Sequence, residues 1–261
     1  MQKSIKIFIQ LIKLNFRSLL IYRANFFISL VATIFWTGAY IIFIEVLFLH
    51  IDQLKGFDKG TILLLMTYFY LFSTMTSIMY RENFEDFDGR MRRGEIDFAL
   101  IKPVSVEVQL FFRTIRLDHV ASLIVTFFMF LYAFKTMETP INILNFLLGL
   151  LYTSVSLIFF YYFLLFIITL SFWLQQAETL HTIVWNLLQV ARYPRQIYTN
   201  IGKIIFVFLF PLALITSLPT EITIAFKSGE MPLYFMGVTI IFAIIARKFF
   251  YYGLKKYSSA G

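Results

Sequence analysis

The sequence predicts an all-α membrane protein with six transmembrane helices. An N-terminal amphipathic helix would lie in the interface, and a short helix would project from a cytoplasmic loop. Three observations predict this. The 261-residue chain is 59% hydrophobic with a mean hydropathy of +0.77, above the roughly 45–50% apolar content of soluble domains. Several apolar runs reach the about 20 residues needed to cross ~30 Å of hydrocarbon at 1.5 Å per residue. Nineteen of the 23 Lys and Arg fall in segments 1–23, 81–116, 174–203 and 247–256, leaving only Lys55, Lys59, Lys135 and Lys227 elsewhere. That bias orients both termini toward the cytoplasm.

Within residues 1–23, Ile5, Phe8, Ile9, Ile12 and Phe16 recur at helical spacing, while Lys3, Lys6, Lys13 and Arg17 fill the other face. This is the pattern of a helix lying along lipid headgroups. The transmembrane domain occupies 24–261. Its crossings are expected at 24–49, 61–80, 117–134, the central part of 141–173, 203–218 and 233–252. Residues 174–202 interrupt apolar positions with Gln175, Gln176, Glu178, Asn186, Arg192 and Arg195. They read as an interfacial helix plus loop on the cytoplasmic side, with a short or broken membrane helix as the competing reading. Residues 219–231 read as an outer connection that could dip back into the bilayer.

Polar residues stripe the first two crossings, Thr33, Thr37 and Tyr40 on one and Thr67 and Thr74 on the other. Such residues let membrane helices approach and hydrogen-bond, or they line a path; both readings are compatible at a dimer seam. Pro211 in the fifth crossing is a hinge or a static kink.

The loop 81–116 is the one long charged stretch, with seven basic and seven acidic residues. Phe84, Phe87 and Met91 keep an apolar edge at helical spacing. Gly94 follows Arg90, Arg92 and Arg93, a cationic last turn and a glycine stop. A short amphipathic helix over 83–93 is expected.

Several chemistries are excluded. There are no cysteines, and His50, His119 and His181 match no ligand spacing, so no metal site is expected. No Gly-rich phosphate loop ending in Lys-Ser/Thr and no nucleophile elbow is present. The chain is expected to hold no catalytic residue and no cofactor of its own. The net charge of +8 lies beside apolar runs and reads as membrane orientation, with no nucleic-acid partner.

The run RRGEIDFALIKPVS at 92–105 resembles the signature loop of permease subunits of ABC transporters of the type-2 exporter family, roughly Arg-x-Gly-x-Leu-Asp-x-x-Leu-x-Arg-Pro-Val-Ser. Arg92, Gly94, Asp97, Leu100, Pro103, Val104 and Ser105 match; Ile96 and Lys102 replace Leu and Arg. ARYP at 191–194 and PLALITSLP at 211–219 are similar to two further blocks of that family. The resemblance implies a permease in the cell membrane that pairs with a second copy or a related permease. ATP and magnesium would be held by separate nucleotide-binding ATPase subunits. The helix over 83–93 would be the coupling helix, docked in a groove of the ATPase. Phe84, Phe87 and Met91 would fill that groove, Arg90 and Arg92 would set orientation, and Gly94 and Asp97 would shape the link to the third crossing. The aromatic, weakly charged spans suit an amphiphilic cargo such as a drug, peptide or lipid. A secondary transporter or channel without an ATPase is the alternative.

Overall fold

The computed structural model describes residues 23–103, 105–137, 140–174, 178–225 and 229–257, and every regular element among them is helical. The interfacial helix expected over 1–23 lies, apart from its last residue, outside the described residues.

Five helical stretches are long and apolar enough to cross a membrane: Phe26–Phe48, Lys59–Arg92, Leu117–Thr136, Ile143–Phe172 and Glu230–Leu254. They contain α1 (Arg23–Phe48), α2 (Lys59–Thr76), α7 (Val120–Thr136), α8 (Ile143–Thr169) and α12 (Glu230–Leu254). They coincide with five of the six expected crossings. Local signals start two of them. Asp58 Oδ1 accepts from the Thr61 N–H at 3.3 Å and Asn142 Oδ1 from the Leu144 N–H at 2.8 Å, each satisfying a donor that a helix start leaves open.

Ring and hydrogen-bond contacts fix the directions. Tyr68 of α2 packs on Phe130 of α7, and a Cβ on Gly60 would meet Met137, so these two run antiparallel. Thr33 meets Ser122 at 2.8 Å, and Glu45 accepts from Tyr132 at 2.6 Å, so α1 and α7 run parallel. Along α8 and the turn that follows it, Phe159 packs on Phe235 and Phe242, Phe166 on Phe242 and Phe249, and Phe172 on Phe250. Therefore α8 and α12 are parallel neighbours, and residues 173–229 must carry the chain back across the bundle between them.

The return is made by a segment expected to lie on the surface. In α9 (Glu178–Leu188) Trp185 sits against Arg81, 4.3 Å from its Cζ, at the end of the bundle that carries the charged loop. Farther along, Arg192 lies over Tyr40 and Phe69. Arg195 then donates from its backbone N–H to Ser217 at 3.0 Å and pairs with Glu221. It shares a cavity with Gln53, Asp58 and Glu230 at the opposite end. Residues 178–197 are thus a broken crossing, the competing reading of 174–202.

The fifth crossing expected at 203–218 is overturned for the same reason. Asn200–Leu209, containing α10 (Asn200–Lys203), and α11 (Leu214–Ile224) are bent by 83°. Phe208 packs beside Tyr234 near the start of α12, Phe210 reaches Phe163, and Thr223 rises again to Tyr68. The chain dips in and returns to the end it left. Pro211 is buried at the reversal, not at a kink in a span. Pro219, expected to open an outer connection, lies inside α11.

Candidate functional site

The charged loop folds as α3 (Glu82–Glu85), α4 (Phe87–Arg92), α5 (Glu95–Leu100) and α6 (Val106–Phe111). The single helix expected over 83–93 is broken at Asp86. Gly94 stops α4 with φ +67°, a left-handed conformation that glycine adopts without a Cβ clash. The apolar edge turns inward. Phe84 and Phe87 are 1% and 0% exposed, both stacked on Phe111 with centroids 4.3 and 5.5 Å apart. Phe111 in turn meets Phe250 of α12, and Met91 packs on the same cluster. The expected groove-filling anchors therefore hold the loop onto its own bundle. The helical spacing is right; the surface that receives it is this chain's.

A polar network completes the attachment. Asn83 donates to the Thr114 carbonyl at 2.8 Å and accepts from the Thr114 N–H at 3.0 Å and from Arg90 Nη2 at 3.1 Å. Arg90, itself buried, also donates to the Leu110 carbonyl at 2.6 Å and to Asp86 at 3.1 Å. The Arg116 N–H donates to Ile78 O at 3.0 Å at the foot of α2. Arg116 also grips Asp118 with two bonds of 2.8 and 2.7 Å. On the surface, Arg93 bonds Glu95 and Asp86, and Arg113 bonds Glu95. The Arg93 hydrogen bond, helped by Arg113, holds the Glu95 carboxyl below the usual carboxylate range. Arg92 is exposed and Asp97 half-buried. Among the described residues of the loop, the apolar side chains most displayed are Phe98, Leu100 and Ile101, at 63%, 46% and 79% exposure.

The polar stripes divide. Thr67 is fully buried and donates to Leu63 O at 2.7 Å, and Thr74 is also buried, so both belong to this chain's internal packing. Thr33 bridges to Ser122 of α7. Thr37 is buried beside Tyr40, whose ring lies 6.1 Å from that of Tyr70. Arg192 donates to the Tyr40 hydroxyl. Pro211 sits apart from this group, at the tip of the hairpin.

Sequence reasoning missed three pairings. Arg192 meets the Tyr40 stripe, Arg195 pairs with Glu221, and Arg247 pairs with Glu107. The signal for the first was present: no Asp or Glu occurs between Glu178 and Glu221, so an arginine on a crossing there has no carboxylate nearby in sequence. At the opposite end a cavity of about 670 Å³ lies between 53–61, Arg195, Gln196, α11 and the start of α12. Among the described residues no cluster of His, Cys, Asp or Glu could hold a metal.

A bundle of apolar crossings with a broken fifth crossing, a dipping helical hairpin and a charged loop locked to one end is the architecture of a multi-pass membrane permease. The profile described as ABC-2 family transporter protein matches residues 34–261. The chain belongs to that family and is a permease-type membrane subunit of an ABC transporter. No curated protein and no solved structure matches the chain.

Proposed function

We propose that the chain is one of two permeases in an ATP-driven exporter of amphiphilic compounds, with ATP bound and hydrolysed by separate ATPase subunits docked at the charged end. With Arg192, Arg195 and Lys203 taken out of the cytoplasmic tally, sixteen of the 23 Lys and Arg remain in it. This supports a cytoplasmic charged end and cytoplasmic termini in the cell membrane.

The observation that carries the reading is the construction of the loop. A solvated connector has no need to bury Arg90 or to stack Phe84 and Phe87 on Phe111. This loop is tied to the helical turn that continues α2 through Ile78, to α8 through Tyr161 and to α12 through Arg247 and Phe250. It nonetheless displays Phe98, Leu100 and Ile101 outward, beside the exposed Arg92 and Lys102. Exposed apolar side chains with a charged rim are how docking sites are built. A push at Phe98 would pass to three helices at once, because packed interiors transmit strain. In this reading the coupling contact is α5 and the turn after it, with Gly94 and Asp97 shaping its base.

The test is copurification with the cognate ATPase together with transport into inverted vesicles. The double substitution Phe98→Asp and Ile101→Asp is expected to release the ATPase and end ATP-dependent transport, with insertion unchanged. ATP-dependent transport at the wild-type rate in that variant would refute the docking assignment. Transport with no ATPase retained would favour the channel or secondary-transporter reading.

A further inference from the structure

Arg192 is a cation placed half-way through the bundle, and among the described residues it forms no ion pair with a carboxylate. It ends the short helical turn Gln189–Arg192, and its Cζ lies 4.8 Å from the ring centroids of both Tyr40 and Phe69. Phe69 stands ten positions from Lys59 and twelve from Arg81, so roughly 15 and 18 Å along the helix from either charged residue at 1.5 Å per residue. One guanidinium nitrogen donates to the Tyr40 hydroxyl, while the buried Nε has no partner. Among the described residues its contacts are with the Tyr40 hydroxyl and the Tyr40 and Phe69 rings. Three positions on, Arg195 is gripped at both ends by Glu221, at 2.8 and 3.0 Å. Arg192, Tyr40 and Tyr70 are each only half-buried, so each keeps part of its surface open.

Ionisable groups at this depth are costly and are retained where they pair or act on a solute. Cation–π contacts with two rings offset part of that cost, but they leave donors of the planar guanidinium fork unused. That fork matches the oxygen pairs of carboxylate, sulfonate and phosphate groups. The rings of Tyr40, Phe69 and Tyr70 form an apolar wall beside it.

We propose that Arg192 is the anion-recognition point of the cargo path. It takes the oxyanion headgroup of an amphiphile, whose apolar body lies against Tyr40, Phe69 and Tyr70. The cargo class is therefore an anionic amphiphile, not a cationic or neutral one. The inference rests on the permease reading.

The test uses the full-length permease in phosphatidylcholine nanodiscs, with no ATPase and no ATP. Decanesulfonate, decyltrimethylammonium, decanol and ethanesulfonate are titrated calorimetrically against empty discs. Decanesulfonate is expected to bind saturably, and the cationic and neutral analogues to bind roughly tenfold weaker or less, the scale of one charge-assisted contact. Arg192→Gln should remove that preference, and Arg192→Lys, which keeps the charge but not the planar fork, should retain only part of it. The proposal is overturned if the wild type binds all three ten-carbon probes alike, a result that needs no variant to fold. It is also overturned if folded Arg192→Gln keeps the sulfonate preference, or if ethanesulfonate competes as well as decanesulfonate. ATP plays no part in the titration, so the two ideas fail separately. Lost anion preference with intact ATP-driven export removes only this inference. Intact preference without any ATP-driven export removes only the exporter reading.

Discussion

Arg247 of α12 donates through Nε to Glu107 of the charged loop at 2.9 Å, joining residues 140 positions apart. The two sides are unequal: the Glu107 side chain is 9% exposed and that of Arg247 52%. Arg247→Met strands a buried carboxylate and is expected to cost about 3 kcal/mol. Glu107→Gln keeps an acceptor and leaves an arginine that can turn to water, a loss of about 1 kcal/mol or less. Thermal unfolding of the two variants in the same detergent checks the order; equal losses would show that the pair does not hold the loop.

The Asn83 amide serves Thr114 twice and Arg90 once. Asn83→Ala leaves those groups unpaired in a buried position and is expected to cost about 2–4 kcal/mol. Amide exchange at Thr114 should accelerate before exchange in α8 does, because the loop loses its clasp while the bundle keeps its own.

Phe87 and Phe98 lie in the same loop and should behave in opposite ways. Phe87→Asp places a charge in the Phe111 cluster and is expected to abolish stable insertion, with Phe87→Ala already costing about 3–5 kcal/mol. Phe98→Asp changes an exposed position and should leave the unfolding temperature within the range of surface substitutions. Fluorescence-detected size exclusion separates the two outcomes.

Gly149 lets α8 approach α2 and α11 closely. A Cβ there would collide with Thr223 Oγ1 and the Tyr68 hydroxyl and meet Pro219 O at 3.0 Å. Those hydroxyls share a 2.6 Å hydrogen bond. Gly149→Ala is expected to destabilise by about 1–3 kcal/mol through overpacking, and Gly149→Ala with Thr223→Ala to recover part of the loss. Unfolding of both variants measures the recovery.

Glu95 gives the surface of the loop a pH dependence of known sign. Arg93 and Arg113 hold its carboxyl below the usual range. Its contribution is therefore complete above the unfolded value of about 4.3 and disappears as pH falls through the lowered folded value. The carboxyl carbon shift of labelled Glu95 should titrate at lower pH than that of an unpaired glutamate. In Arg93→Gln the midpoint should move upward.

The five long crossings were legible because about 20 uninterrupted apolar residues have few soluble explanations. The fifth was hidden by chemistry specific to its place. Asn186, Arg192 and Arg195 make 174–202 read as surface, yet Arg192 rests on aromatic rings and Arg195 on Glu221, partners that lie far away in sequence. The 203–218 run mimicked a span because Phe206, Phe208 and Leu209 on one arm and Leu214, Ile215 and Leu218 on the other abut in sequence. The 83° bend and the contacts of Phe210 with Phe163 and of Thr223 with Tyr68 reveal two arms instead of one rod.

The charged loop shows the same limit. Spacing at Phe84, Phe87 and Met91 announces that one helical face is covered but carries no information about what covers it. A neighbouring subunit and the chain's own Phe111 produce the same periodicity. Gly94 was legible, since a glycine after a cationic turn has a local geometric cause.

Because the arms flanking Pro211 leave from and return to one side, cysteine tags at Thr199 and Gly229 should react with an impermeant reagent from the same compartment. Gly253 should be shielded from it. A reporter-fusion survey that scored 203–218 as a full traverse, and the segment before it as another, would obtain an odd tally and assign the carboxyl terminus to the wrong compartment. The reversal at Pro211 keeps the parity even.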